Sequence, residues 1–436
     1  MTRDQELRTQ IIDLVKEYYE VKHANNKGFK LGESKINYAG RVFDSRELEL
    51  GVKSVLDFWL TAGPYAQQFE SKLKDYFGCK DALTVNSGSS ANLVMMSTLK
   101  SEQVKNRLVD GDEVITPAAT FPTTLTPILQ NNLVPVFVDC KPGEYNMDMD
   151  QIEESISPKT KAIFIPHTVG LPADMDRIMD IAKKHNLFVL EDGCDALGGT
   201  WDGKLVGTFG DMSSISFYPA HHMTMGEGGM VIVNNPALAK TALSIRDWGR
   251  DCWCDPGVND TCGKRFDWSL GDLPHGYDHK YIYSNLGYNL KVTEMQAAIG
   301  LAQFEKLDSF VERRRSNANF YQEQLKQFEN HIILPIVPKK ANPSWFCFPI
   351  TVKDHISREK LISWLEKNKI ETRLIFSGNV LKQPGFVNIP RRIHGELTGT
   401  DEIMSKTFFI GIYPGLTDDM REFVVDKFKT FFTEMI

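Results

Sequence analysis

The chain has 436 residues, of which 42% are apolar and 25% charged. That length suits about two or three domains, and it buries a large core without help from disulfides or metals. The 50 basic and 57 acidic residues leave a net charge of −7. Such a balance argues against a general nucleic-acid binder or a polybasic membrane binder. A local basic pocket for a small phosphorylated substrate remains compatible with it.

Residues 1–20 mix charges into an apolar pattern, which predicts an amphipathic helix and not a signal peptide. No run reaches the ~18–20 apolar residues of a membrane span. The expectation is a cytoplasmic protein whose seven cysteines are reduced, so that clustered thiols point to metal or redox chemistry before disulfides.

Further along, short apolar runs rich in β-branched residues alternate with helical patterns. The runs are Ala82–Val85, Glu113–Thr116, Val134–Val138, Ala162–Ile165 and Leu187–Leu190. Between them Ser89–Leu99, Pro122–Asn131, Met149–Ile156 and Asp174–His185 read as helices. That alternation predicts a mostly parallel sheet flanked by helices, hence an α/β fold. Met212–Phe217 and Met230–Val233 add two strands. Residues 249–285 hold three cysteines and several glycines without a period, and long irregular segments of this kind are usually functional. Residues 293–328 read as helical. The pattern then restarts, with Trp345–Val352 and Thr372–Ile375 as strands and Arg358–Asn368 and Asp418–Phe432 as helices. The expected division is an N-terminal helical segment over 1–50, a large domain over 51–330 carrying the insertion at 249–285, and a smaller α+β domain over 331–436.

Three segments carry chemistry. Asn86-Ser-Gly-Ser-Ser-Ala-Asn92 lies between a strand and a helix, where Gly88 permits a tight turn and the amides of Ser89 and Ser90 point out of the helix N-terminus. Such a turn holds a phosphate, or is a plain helix cap. In Val189-Leu-Glu-Asp-Gly-Cys-Asp-Ala196, Asp192 ends an apolar strand, where open α/β sheets bind ligands. A carboxylate there suits a protonated pyridine nitrogen, or merely caps a loop. The third segment is Ser216-Phe-Tyr-Pro-Ala-His-His-Met-Thr-Met-Gly-Glu-Gly-Gly229.

Together these segments resemble the sugar-nucleotide aminotransferases, pyridoxal-phosphate enzymes of fold type I. That family carries a Ser-Phe-x-x-x-Lys stretch before a Gly-Glu/Asp-Gly-Gly turn. The resemblance extends to Trp59–Pro64 with Phe69 and Glu70, to Thr116–Phe121, to His167–Gly170 and to Pro172–Asp176. It continues through Gly287–Asn289, Thr293, Glu294 and Gln296–Ala298. It implies that Gly88, Ser89 and Ser216 hold the cofactor phosphate, together with Asn289 lent by the second subunit of a homodimer. Asp192 would bind the ring nitrogen and Phe121 would stack on the ring. Asp195, Tyr218 and Phe346 occupy places that line the reaction pocket.

The family lysine falls on His221, and no lysine lies between Lys204 and Lys240. Imidazole cannot form the covalent bond to the cofactor that a lysine amine forms, but it serves as a general base near neutral pH. The resemblance thus implies noncovalently held pyridoxamine 5'-phosphate (PMP, exchanging with PLP), with His221 as base. His222 is adjacent; register favours His221.

Cys194, Cys252, Cys254 and Cys262 are separated by 57, 1 and 7 residues. From spacing alone, zinc or plain thiols are preferred. With the histidine, however, the spacing resembles the iron–sulfur dehydrase branch of the same family. That branch implies a 2Fe–2S cluster on these four cysteines and a CDP-sugar substrate, CDP-4-keto-6-deoxyglucose. It removes the C3 hydroxyl through a PMP Schiff base, in 3,6-dideoxyhexose (lipopolysaccharide O-antigen) biosynthesis. Electrons would come from a separate NADH-dependent flavin/iron–sulfur reductase, since this chain has no flavin or nicotinamide motif. The alternatives are a cluster-free PMP-dependent 3-dehydratase, an aminotransferase using another lysine, and a non-catalytic sugar-nucleotide or redox sensor. Cys79, Cys140 and Cys347 read as structural thiols. Arg250, Lys264, Arg265, Arg391 and Arg392 are either contacts to substrate phosphates or solvated charges.

Overall fold

A computed structural model describes residues 1–24 and 28–434. Residues 25–27 of the expected N-terminal segment and 435–436 of the expected C-terminal domain lie outside the described residues. The alternating pattern forms an eight-stranded sheet. Its order is Asp81–Val85, Gly229–Val233, Met212–Ser216, Phe188–Asp192, Thr160–Pro166, Glu113–Pro117, Val134–Val138 and Arg392–Ile393. All neighbours run parallel except at Gly229–Val233, which is antiparallel to both flanking strands. The interior strands are buried on both faces, which explains their unbroken apolar runs.

Helices cover the two faces. On one, Gly88–Lys100 packs against Met212–Ser216 and Gly229–Val233, burying Val94, Met95 and Leu99. On the other, Met175–His185 buries Met175, Ile178 and Ile181. A second, antiparallel sheet runs Ile332–Ile333, Phe348–Val352, Thr407–Ile410 and Thr372–Leu374. Helices Arg358–Lys367 and Asp418–Glu434 share one apolar cluster with this sheet. The N-terminal segment joins that cluster through Ile36, which bridges to Ile370.

The structure differs from the sequence pattern at several points. The strand expected from Trp345 begins only at Phe348. The carbonyls of Ser344, Trp345 and Phe346 are instead taken by His222 and Arg314, which pulls these residues out of the ladder. Thr407–Ile410, the central partner in the second sheet, was not foreseen, nor were the helices Ser45–Asp57, Pro64–Phe77 and Thr398–Lys406. Among the described residues no helix is long and apolar enough to cross a membrane.

Candidate active site at the carboxyl ends of the strands

A cavity of about 370 Å³ opens at the carboxyl ends of the parallel strands, where open α/β sheets bind ligands. It is lined by Gly88, Ser89, Phe121, Asp192, Ser216 and His221. Asp195, Tyr218, Phe346 and Cys194 line it as well. Ten of the residues selected from the sequence therefore meet in one place.

The first turn of Gly88–Lys100 forms one wall. Ser87 caps this helix, its hydroxyl accepting from the Ser90 amide at 3.0 Å. A Cβ on Gly88 would lie 2.7 Å from both the Cys194 thiol and the Ser216 Cβ, so only glycine lets the turn sit this close. The helix N-terminus and the Ser89 and Ser216 side chains line the cavity together, and helix N-termini favour anions.

Asp192 ends its strand 7% exposed, and four donors fix its carboxylate. Oδ2 accepts from Asn92 at 2.8 Å and from Thr124 at 2.7 Å. Oδ1 accepts from Ser214 at 3.2 Å and from the Cys194 amide at 3.3 Å. Phe121 projects half exposed from the N-cap of Pro122–Gln130, edge-on to Phe376 at 5.8 Å.

His221 sits on the loop between Met212–Ser216 and Gly229–Val233. The loop is closed by the amides of Phe217 and Met225, which donate to Gly228 and Phe217. The His221 ring lies 5.0 Å from Phe346, and its Nδ1 is 3.6 Å from Asp195 Oδ1 with no hydrogen-bond partner. Burial, aided by Arg314, pushes the imidazole down to about 3, so it is neutral in the folded chain. Burial, reinforced by Asp192, pushes the Asp195 carboxyl up to about 8. Its neighbour His222 is 2% exposed and bonds the Ser344 carbonyl at 2.9 Å, so it is held in the core.

The Asp195 shift has a measurable consequence. Its carboxyl is protonated in the folded state over a pH range where the unfolded chain has lost the proton. Its contribution to stability is therefore full below about 4 and is lost as pH rises through about 8. Asp195→Asn, which mimics the protonated acid, is expected to gain stability relative to the parent as pH rises from 5 to 9. Parallel unfolding midpoints for the two cofactor-free proteins across that range would contradict it.

Some residues missed by the sequence reading also line the cavity. Arg373 lies over the Tyr38 ring at 4.5 Å, and both reach the mouth. Arg314 lies behind His221 and donates to the carbonyls of Ala220, His221, Trp345 and Phe346. These positions lack a local signature, because they reach the site from distant elements. The basic residues first considered for phosphate do not line the cavity. Arg392 is bidentate to Glu113, Arg265 pairs with Asp278, Arg391 bonds the Val387 carbonyl, and Arg250 stacks on Trp248.

Asn289 does not reach the cavity of its own chain either. It bridges to Asp247 and accepts from Lys291 at 2.7 Å. Glu294 has a structural task, accepting from the amides of Gly63, Tyr65 and Ala66 to cap helix Pro64–Phe77.

The residues present fit a pyridoxal-type cofactor. They include a helix N-terminus beside the Ser89 and Ser216 side chains, a carboxylate for the ring nitrogen, an exposed aromatic face and an unpartnered imidazole nitrogen. They do not fit an iron–sulfur cluster within one chain. Cys194 is at the cavity against Ser214, whereas Cys252, Cys254 and Cys262 lie in the insertion. Among the described residues no group of three His, Cys, Asp or Glu is placed to hold a metal.

Residues 44–429 match the model of the DegT/DnrJ/EryC1/StrS aminotransferase family. The chain belongs to this family. It is 50% identical over 429 residues to the lipopolysaccharide biosynthesis protein RfbH of Salmonella typhimurium, covering 98% of each chain. It is 45% identical over 427 residues to the dTDP-4-dehydro-2,6-dideoxy-D-glucose 3-dehydratase of Saccharopolyspora spinosa, covering 97% of this chain and 92% of that one. Among solved structures, Escherichia coli GDP-4-keto-6-deoxy-D-mannose-3-dehydratase with bound hydrated PLP matches with a TM-score of 0.81. The identity is 27%, over 90% of this chain and 99% of that one. The α/β architecture with its mostly parallel sheet is that of the fold type I PLP-dependent enzymes.

Proposed function

We propose that the protein is a pyridoxamine-phosphate-dependent 3-dehydratase of a 4-keto deoxysugar nucleotide. The observation that carries this reading is His221. It occupies the family's lysine position, and no lysine is among the described residues that line the cavity. The cavity thus offers a base and no amine for covalent attachment. Two relatives support the reading, being named 3-dehydratases of nucleotide-linked deoxysugars.

When bound, pyridoxamine phosphate supplies an electron sink that lets a poor leaving group, the C3 hydroxyl, depart. The chain does the rest. Gly88, Ser89 and Ser216 would hold the phosphate. Asp192, fixed by its four donors, would keep the ring nitrogen protonated. Phe121 would cover the ring face. His221, neutral at physiological pH, would serve as the proton acceptor beside the cofactor. Asp195, 3.6 Å away, faces the imidazolium this creates and favours it once its own carboxyl is ionised. Tyr218 and Phe346 shape the sugar side, and Arg373 with Tyr38 offers a cationic and aromatic mouth for the nucleotide diphosphate.

The finer proposal is CDP-4-keto-6-deoxyglucose as substrate, with a 2Fe–2S cluster on Cys194, Cys252, Cys254 and Cys262 fed by an NADH-dependent flavin/iron–sulfur reductase. The cysteine spacing supports it. The separation of Cys194 from the other three thiols favours a second reading, a cluster-free 3-dehydratase. One experiment tests both. Anaerobically purified protein with pyridoxamine phosphate is offered CDP-, dTDP- and GDP-4-keto-6-deoxyhexoses, while iron and acid-labile sulfide are counted. Loss of the C3 hydroxyl with no 4-amino product is expected, with the CDP-sugar best and about two irons per chain. A 4-amino sugar formed from glutamate would overturn the dehydratase reading. Turnover without iron would select the cluster-free enzyme.

A further inference from the structure

The catalytic cavity, about 370 Å³, lies near the lower end of small-molecule sites, which run from ~300 to ~1,000 Å³. It has to hold both the cofactor and the hexose of the proposed substrate. The nucleoside half therefore has to leave through the mouth. A second groove of about 670 Å³ begins there, and Tyr38, Tyr218 and Ala220 line both. The family match begins at residue 44, whereas most of this groove is built ahead of it, by Tyr19 of helix Arg3–Tyr19 and by the loop 37–43.

That loop is tied down on the protein side. The Tyr38 amide donates to Glu371 at 3.2 Å. The carbonyls of Val42 and Phe43 accept from Gln303 and from the Tyr19 hydroxyl, each at 3.0 Å. Gly40 lies flat on the Tyr413 ring, where a Cβ would come within 2.6 Å. On the groove side the loop is unsatisfied. Among the described residues the amides of 39–43 have no partner, and neither has the exposed Arg41 side chain.

Backbone donors without a protein partner turn to water or to a ligand. A row of amides beside a guanidinium suits phosphate and base oxygens, since hydrogen bonds with an ionised partner are the strong ones. The same groove offers aromatic rings. Tyr19 and Phe43 meet edge to face at 5.8 Å, and Tyr413 lines the far side. Nucleobases stack on such rings whatever their sequence identity. At the junction with the catalytic cavity stands Arg373 over Tyr38, so cationic groups continue from the mouth to Arg41.

We infer that this groove binds the nucleoside half of the substrate, with Arg41 and the amides of 39–43 on its oxygens and the Tyr19–Phe43 pair against its base. This inference rests on the sugar-nucleotide reading given above. It gives the N-terminal segment a task in substrate recognition, and it makes residues outside the family framework the ones that choose the nucleotide.

Titration calorimetry on the full-length protein loaded with pyridoxamine phosphate tests it, with CDP, dTDP and GDP as probes. At least one of the three is expected to bind the parent and to displace the sugar nucleotide. Arg41→Ala should weaken that nucleotide by about tenfold, the scale of a hydrogen bond to a charged group. Phe43→Leu keeps the apolar volume and loses the ring, and should also weaken it by about tenfold. In both variants KM for the sugar nucleotide should rise more than kcat falls, the mark of a contact made before the reaction begins. Pyridoxamine phosphate should bind the unloaded variants as it binds the parent, which verifies an intact catalytic cavity. Unchanged nucleotide affinity in either variant overturns the inference and leaves the dehydratase reading standing. So does a nucleotide that binds alongside the sugar nucleotide instead of displacing it, because the groove then serves a separate effector. A parent that binds none of the three removes the sugar-nucleotide reading and the inference with it.

Discussion

Replacing His221 by asparagine is expected to slow loss of the C3 hydroxyl by about 10²–10⁴-fold, the usual contribution of a positioned base. Cofactor affinity should stay unchanged. The loop around His221 is held by backbone bonds: its amide donates to the Tyr218 carbonyl at 2.9 Å, and its carbonyl accepts from Arg314 at 2.9 Å. Asparagine keeps both bonds. The groups for the phosphate and ring nitrogen lie on other elements, so only the proton acceptor is lost. Titration with pyridoxamine phosphate, followed by absorbance, reads the first expectation. Single-turnover elimination reads the second. A variant that eliminates near the parent rate would remove His221 from the reaction. His221→Lys supplies the complementary result, because it restores an amine to the cavity. With pyridoxal phosphate it should form a covalent bond that borohydride traps, which the parent should not.

Truncating Arg314 to alanine is expected to cost about 3–5 kcal/mol of stability, the range for stripping one partner from a buried charged network. Arg314 is 2% exposed. Burial lowers it to about 10, so at neutral pH it remains a cation, with four carbonyl oxygens around it. Two of those carbonyls belong to the His221 loop and two to the segment ahead of strand Phe348–Val352. Without the guanidinium, all four lose a donor and a cavity opens. Elimination should slow more than substrate binding weakens, because the imidazole loses its fixed direction while the phosphate cradle persists. Arg314→Met separates the two causes, filling the volume without restoring the donors. Denaturant unfolding checks the stability, and kcat against KM checks the positioning. A midpoint shift below about 1 kcal/mol would show that the clamp is unimportant.

Arg314 also illustrates where sequence reading stops. Gly88, Ser89, Asp192, Ser216 and His221 were legible because each stands at a strand–helix or strand–loop junction, and such junctions follow the period of the chain. The parallel sheet was legible for the same reason: strands buried on both faces read as continuous apolar runs. Arg314 sits in helix Leu307–Leu325 with arginines on either side, and its burial depends on a turn 94 residues earlier in the chain. Arg373 looks like an ordinary strand-edge charge until Tyr38, from the N-terminal segment, packs under it. The short partner strands Ile332–Ile333 and Arg392–Ile393 have two residues each and show no period at all.

The sequence by itself determined the sheet, the segments that meet at the cavity, the missing lysine and the spacing of four thiols, because each is a local pattern set by backbone sterics or by side-chain chemistry at fixed offsets. The tertiary structure decided the rest. It showed that His222 is a core residue while the adjacent His221 faces the cavity, and that Arg373 and not Arg392 stands at the mouth. It also showed that Cys194 lines the cavity while Cys252, Cys254 and Cys262 do not. These outcomes depend on which distant backbone carbonyls, rings and carboxylates close around each side chain, and that closure exists only once the whole chain has packed.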